Sequence, residues 1–139
     1  MLKTFPMGGI HPAEMKISAG KPLERLPLPK KITVMVSQHI GAPAKALVKK
    51  KDKVKAGQRI AESGGFVSAN LHSPVSGTVS KVEDVFDASG YRKPAIIIKV
   101  EGEEWEEGID TGDELITDIP YTKDEILEKI QNAGIVGMG

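Results

Sequence analysis

Apolar residues in this chain recur in short bursts, and turn-forming residues interrupt them every few positions. That is the pattern of short strands, not of long helices. Ile32–Ser37 (ITVMVS) is β-rich and is broken by Gly41-Ala42-Pro43. From Lys45 onward, strands are predicted near 45–49, 58–62, 66–72, 76–83 and 94–100. Lys51-Asp52-Lys53, Ser63-Gly64-Gly65, Ser73-Pro74 and Asp87-Ala88-Ser89-Gly90 separate them as turns. Ala95–Val100 (AIIIKV) does not alternate, which fits a strand buried on both faces. Only near the end does the period change. Lys123–Asn132 reads as a helix, with Thr122 and Glu125 as a capping box and Tyr121 and Ile126 placed for a hydrophobic staple. Its apolar stripe is Ile126, Leu127, Ile130 and Ala133, and Gly134 is a natural stop.

The flanks are different in kind. Residues 1–31 are rich in Pro and Gly and carry no periodic run, so they read as an extended arm that must pack on its own barrel or on a partner to be ordered. Residues 102–120 are acidic and read as a linker, with Trp105 covering a core edge. The core is thereby expected over 32–101, and 121–139 as a helix followed by the start of a further segment. The Gly-rich run after the helix, Ile135–Gly139, looks like the opening of that segment.

At 139 residues, 40% hydrophobic and 27% charged, the chain has the composition of a soluble globular domain. It has no apolar run near the roughly 20 residues that span a bilayer. No apolar stretch resembling a signal peptide begins it. With no cysteine it forms no disulfide and supplies no thiolate to a cluster. Its zero net charge hides an asymmetry. Residues 1–60 carry 13 Lys/Arg against 3 Asp/Glu, whereas 61–139 carry 6 against 16. Two solvated faces that cancel on folding would account for this, and so would a basic patch around Lys45–Lys55 that meets an acidic partner or lipid headgroups. Nucleic acid is disfavoured, because no aromatic residue interleaves with these lysines to stack on bases.

Val48–Val79 carries the most information. An apolar strand, an Asp-x-Val turn, a Gly-Gln step, a hairpin and Pro-x-x-Gly-x-Val follow one another as they do in biotinyl and lipoyl carrier domains. In those domains the acylated lysine lies at the hairpin tip, eight residues before the proline. Counting back from Pro74 gives Phe66, and no lysine occurs between Arg59 and Lys81. Phenylalanine has no amine to acylate. The frame of a carrier is present without its chemistry.

Other candidate sites are weak. His11, His39 and His72 lie 28 and 33 residues apart, with no His-x-x-x-His or HExxH spacing, so only the fold could assemble them into a metal site. Hydrogen bonding to backbone near turns is the commoner fate of such imidazoles, and a phosphocarrier pair of His39 and His72 has no positive sign. The glycine pairs Gly8-Gly9 and Gly64-Gly65 do not open a helix in a phosphate-loop pattern and read as turns. Ser76 lacks a nucleophile-elbow context, and Glu103–Glu107 lacks calcium-loop spacing. No catalytic, cofactor or metal residue is assigned.

Several segments together resemble the N-terminal region of the C subunit of the Rnf electron-transport complex, a membrane-bound, ion-translocating ferredoxin:NAD oxidoreductase. They are Thr4–Pro12 (TFPMGGIHP), Leu26–Pro29, Ser37–Ala44 (SQHIGAPA), Gly57-Gln58, Gly65–Val79 (GFVSANLHSPVSGTV) and Ala133–Gly139 (AGIVGMG). The likeness implies a mainly β barrel-sandwich hybrid with no prosthetic group in this stretch. It further implies FMN, NADH and two [4Fe-4S] clusters in the domains that follow, and a peripheral position on the cytoplasmic face of the bacterial inner membrane. Lys51 departs from the family, which usually has Gly there, and leaves the turn type open.

The expected role is a scaffold or docking domain whose partners are other subunits and the following domains of its own chain. Lys49, Lys50, Lys51, Lys53, Lys55 and Arg59 are expected to form an electrostatic contact surface, and Phe66 a docking point. An acylated carrier, a free-standing interaction module and NADH oxidation by this chain alone are the rival readings.

Overall fold

The computed structural model describes residues 13–114 and 117–137. Seven strands, β1 (Lys31–Met35), β2 (Lys45–Ala46), β3 (Lys53–Val54), β4 (Arg59–Glu62), β5 (Leu71–His72), β6 (Ser76–Phe86) and β7 (Arg92–Gly102), precede one helix, α1 (Lys123–Asn132). They form two antiparallel sheets, a four-stranded one in the order β1-β7-β6-β3 and a three-stranded one in the order β2-β4-β5. Because β1 to β4 alternate between the sheets, the two interlock around a single core. Mainly β architecture with one C-terminal helix is what the pattern predicts.

Side-chain alternation explains the core. In the four-stranded sheet Val34, Ile96, Ile98, Val79 and Val54 point inward, and from the other sheet Ile60, Ala61 and Leu71 meet them. Ile60, Ile96 and Ile98 are wholly buried. Removing any one of them to Ala would cost about 2–5 kcal/mol through lost burial and an unfilled cavity. The predicted two-sided burial of the AIIIKV run holds for Ala95–Ile98 and ends at Lys99, which is exposed.

Several predicted elements change, among them the strand near 45–49, which is paired only at Lys45–Ala46. The strand near 66–72 is paired only at Leu71–His72, because backbone groups of the preceding loop are spent on another loop. Lys53–Val54, read as turn and flank, is a strand pairing with Gly77 and Thr78. β6 and β7 run past their predicted ends to form a ribbon closed at Asp87. There the Asp87 carboxylate accepts from the N–H groups of Ser89 and Tyr91 and from Lys93 Nζ, the last at 2.7 Å.

The acidic stretch is partly barrel. Trp105 bridges to Ala56, whose N–H donates to the Glu104 carbonyl and whose carbonyl accepts from Glu106 N–H, and Trp105 and Ile109 fill the space beside Gly57. The free part of the linker therefore begins only after Ile109. The described part of the arm, residues 13–30, is exposed throughout, and Val100 N–H of β7 donates to its last carbonyl, that of Lys30. Pro6, His11 and the rest of 1–12 lie outside the described residues, as do Leu115, Ile116, Met138 and Gly139.

Candidate docking surface

The hairpin tip is a loop, Ser63–Asn70, braced by a second loop from Ser37 to Ala44. Ala42 N–H donates to the Val67 carbonyl at 2.9 Å, and Ser68 Oγ donates to the Ala42 carbonyl at 2.8 Å while accepting from Gly64 N–H. The backbones approach so closely that a side chain at Gly41 would strike the Val67 carbonyl, and one at Gly64 the Pro43 carbonyl. His39 ties the same two loops. Its Nε2 accepts from Ala69 N–H at 3.0 Å, which leaves Nδ1 to donate to the Ile40 carbonyl at 3.0 Å. This is a neutral imidazole used as a brace, the structural role favoured for it by its sequence context.

A helix end completes the site. Asn70 accepts from Ser63 N–H through Oδ1 and donates through Nδ2 to the last-turn carbonyls of α1, Gln131 and Asn132, each at 3.3 Å. Helix α1 ends in a Schellman motif: Gly134 (φ +68°) donates to Gln131 and Ile135 to Ile130. A Cβ on Gly134 would collide with the Asn70 carbonyl, so glycine is required there twice over. The predicted helix, capping box and glycine stop are all present. Asn70 is not among the residues that sequence pattern singles out, and with Ser63 and Ser68 in the same loop its polarity did not mark it.

These braces hold apolar side chains outward. Phe66 is fully exposed at 104% and Ile40 at 94%, with Val67 more than half exposed. They line a groove with Gln38, Val136 and Gly137 beyond the helix end. The α1 stripe is likewise uncovered, Leu127 being 54% exposed. The tip offers no amine and, His39 apart, no ionisable group from Ser63 to Leu71 or from Ser37 to Ala44.

The basic residues are divided between a turn and the two sheets. Lys49, Lys50 and Lys51 occupy a turn closed by Asp52, whose Oδ2 accepts from Lys49 N–H. Lys53 belongs to the four-stranded sheet and Arg59 to the three-stranded one. Lys55 is ion-paired with Glu104 at 2.9 Å, and that hydrogen bond holds the ammonium above and the carboxyl below their ordinary pKa values. Arg59 stands across from His72, whose pKa is lowered first by burial and then by that guanidinium. Among the described residues no group of three or more His, Cys, Asp or Glu could hold a metal ion, and no helix is long and apolar enough to cross a membrane.

Residues 3–103 match the family described as the RnfC barrel sandwich hybrid domain. The chain is 46% identical to the C subunit of the proton-translocating ferredoxin:NAD(+) oxidoreductase complex of Clostridium ljungdahlii, over 100% of this chain and 30% of the relative. It is 41% identical to the C subunit of the Na(+)-translocating ferredoxin:NAD(+) oxidoreductase complex of Acetobacterium woodii, over 95% of this chain and 30% of the relative. The C subunit of the ion-translocating oxidoreductase complex of Rhodobacter capsulatus is 40% identical over 99% of this chain and 27% of its own length. The chain thus spans under a third of these relatives. With its two interlocked sheets, it belongs to the RnfC barrel sandwich hybrid family.

Proposed function

We propose that this chain is the scaffold and docking domain of the C subunit of a membrane-associated, ion-translocating ferredoxin:NAD oxidoreductase. It carries no redox cofactor of its own. FMN, NADH and two [4Fe-4S] clusters belong to other parts of the subunit, which sits peripherally on the cytoplasmic face. The observation that carries this reading is the state of the tip, where Phe66 is fully exposed on a loop that two neighbours hold rigid. A swinging carrier needs a nucleophilic amine there. A docking point needs a pre-ordered apolar anchor, which spares much of the entropy cost of binding. Its partners are other subunits or the following domains of its own chain.

Replacing Phe66 with Glu in the full-length subunit tests this. The side chain touches no core, so the melting temperature should not change. Co-purification of the subunit with the rest of its complex should fall at least about fivefold, the scale of an anchor residue worth more than about 1 kcal/mol. Intact mass should show no acyl or biotinyl adduct. Undiminished assembly of the Phe66→Glu subunit would remove the reading, and an adduct would restore the carrier.

A further inference from the structure

A second surface, on the outer face of the four-stranded sheet, comes out of the strand register. Lys31 of β1 stands directly opposite Lys99 of β7. Lys99 stands opposite Thr78 of β6, and Thr78 opposite Lys53 of β3. The next row along the strands is Ile32, Ile98 and Val79, whose side chains go to the core, so Lys31, Lys99, Thr78 and Lys53 all face out. Three lysines and a threonine therefore cross the whole four-stranded sheet in one line. At about 4.8 Å per strand step it is roughly 15 Å long.

The row is not explained by stability. Like charges directly opposite one another on a sheet destabilise it. None of the three lysines has an ion-pair partner among the described residues. The carboxylates nearest the row lie at its Lys53 end, where Glu101, Glu103 and Glu104 line one hollow with Lys53. Glu101 accepts from Thr78 Oγ1 at 3.1 Å, and Glu83 is bonded to Lys81 at 3.2 Å. Glu104, which also feels the charge of Lys53, is paired with Lys55. Lys51 lies in the turn just before Lys53 and adds to the positive field at that edge.

We infer that this row seats the domain on an anionic lipid surface, its lysines against headgroup phosphates. Charge complementarity supplies the attraction. The kind of residue favours lipid over protein. Lysine is depleted from protein interfaces and arginine and aromatics are enriched, yet the row holds neither of the latter. An open sheet face bearing flexible ammonium groups suits a fluid array of phosphates, where no bidentate geometry is needed.

The test uses the full-length subunit and sedimentation with vesicles of phosphatidylcholine, alone or mixed with phosphatidylglycerol. Binding should require phosphatidylglycerol and weaken as salt is raised. The triple variant Lys31→Gln, Lys53→Gln, Lys99→Gln should bind at least about tenfold more weakly, each lysine near the surface being worth roughly a fivefold change. A control of equal charge, Lys16→Gln, Lys21→Gln, Lys123→Gln, should bind as the unaltered subunit does. Absence of phosphatidylglycerol-dependent binding, an equal loss in the control, or a loss confined to association with another subunit would overturn the inference. Because the tip is untouched, assembly through Phe66 would be unaffected by these changes.

Discussion

Asn70 of the tip loop holds the end of helix α1 by donating to the Gln131 and Asn132 carbonyls, while its own carbonyl lies where a side chain on Gly134 would be. Sixty-odd residues of chain separate the two segments, and a single amide spans them. The apolar groove lies beside that contact, lined by Phe66 and Val67 of the tip and by Gly134 and Val136 at the helix end.

Replacing Asn70 with Ala should therefore loosen the helix before it loosens the barrel. The Asn132 carbonyl and the Ser63 N–H lose their partner and the Gln131 carbonyl keeps only the Gly134 N–H, at about 1–3 kcal/mol for groups left partly buried and unsatisfied. Hydrogen exchange should quicken over Lys123–Gly137 and remain slow in Ala95–Ile98. Uniform protection of both segments in the variant would show that the helix is held by something else.

Lys51 has φ +81° and is the only non-glycine residue with positive φ among those described. Its place at the third position of the Lys49–Asp52 turn, with Asp52 N–H donating to the Lys49 carbonyl, makes this a type II turn, where glycine is the unstrained choice. The turn type left open by the sequence is thus resolved, and the cost of the lysine follows from its Cβ. Lys51→Gly should stabilise the domain by about 1 kcal/mol and raise its melting temperature by a few degrees. A lower melting temperature would contradict the strain.

His72 gives a pH dependence. Burial, and then the Arg59 guanidinium, lower its pKa below the ordinary 6.5, so the unfolded chain takes up its proton more readily than the folded one. The contribution to stability is fully present above 6.5 and is lost as pH falls through the lowered folded value. The urea midpoint should decline across that window, and His72→Gln should flatten the decline. Arg59→Ala should raise the His72 pKa measured by NMR titration, and an unchanged titration would remove Arg59 as a cause.

What could be read before the fold was known divides along the range of the forces involved. Helix α1 was legible to the residue, because Thr122, Glu125 and Gly134 act within one or two turns. Phe66 was legible as an anomaly by spacing alone. The Asn70–Gly134 contact was not, since it depends on a helix returning across the barrel. Nor were the cation partners. The run from Lys49 to Lys55 looks like one patch in sequence, yet Lys55 is bound to Glu104, and Lys53 aligns with Lys31 and Lys99 through register. A strand as short as β3 carries too little pattern to be recognised, and only its pairing with β6 defines it.

If the tip is a contact point in the assembled complex, a photo-reactive benzoylphenylalanine in place of Phe66 in the full-length subunit should find its partner. Irradiation of the intact complex should give a cross-link to another subunit, or to a different domain of the same chain, that disappears when Ile40 and Val67 are both changed to Glu. An assembled complex in which the probe reacts only with solvent would contradict the docking role.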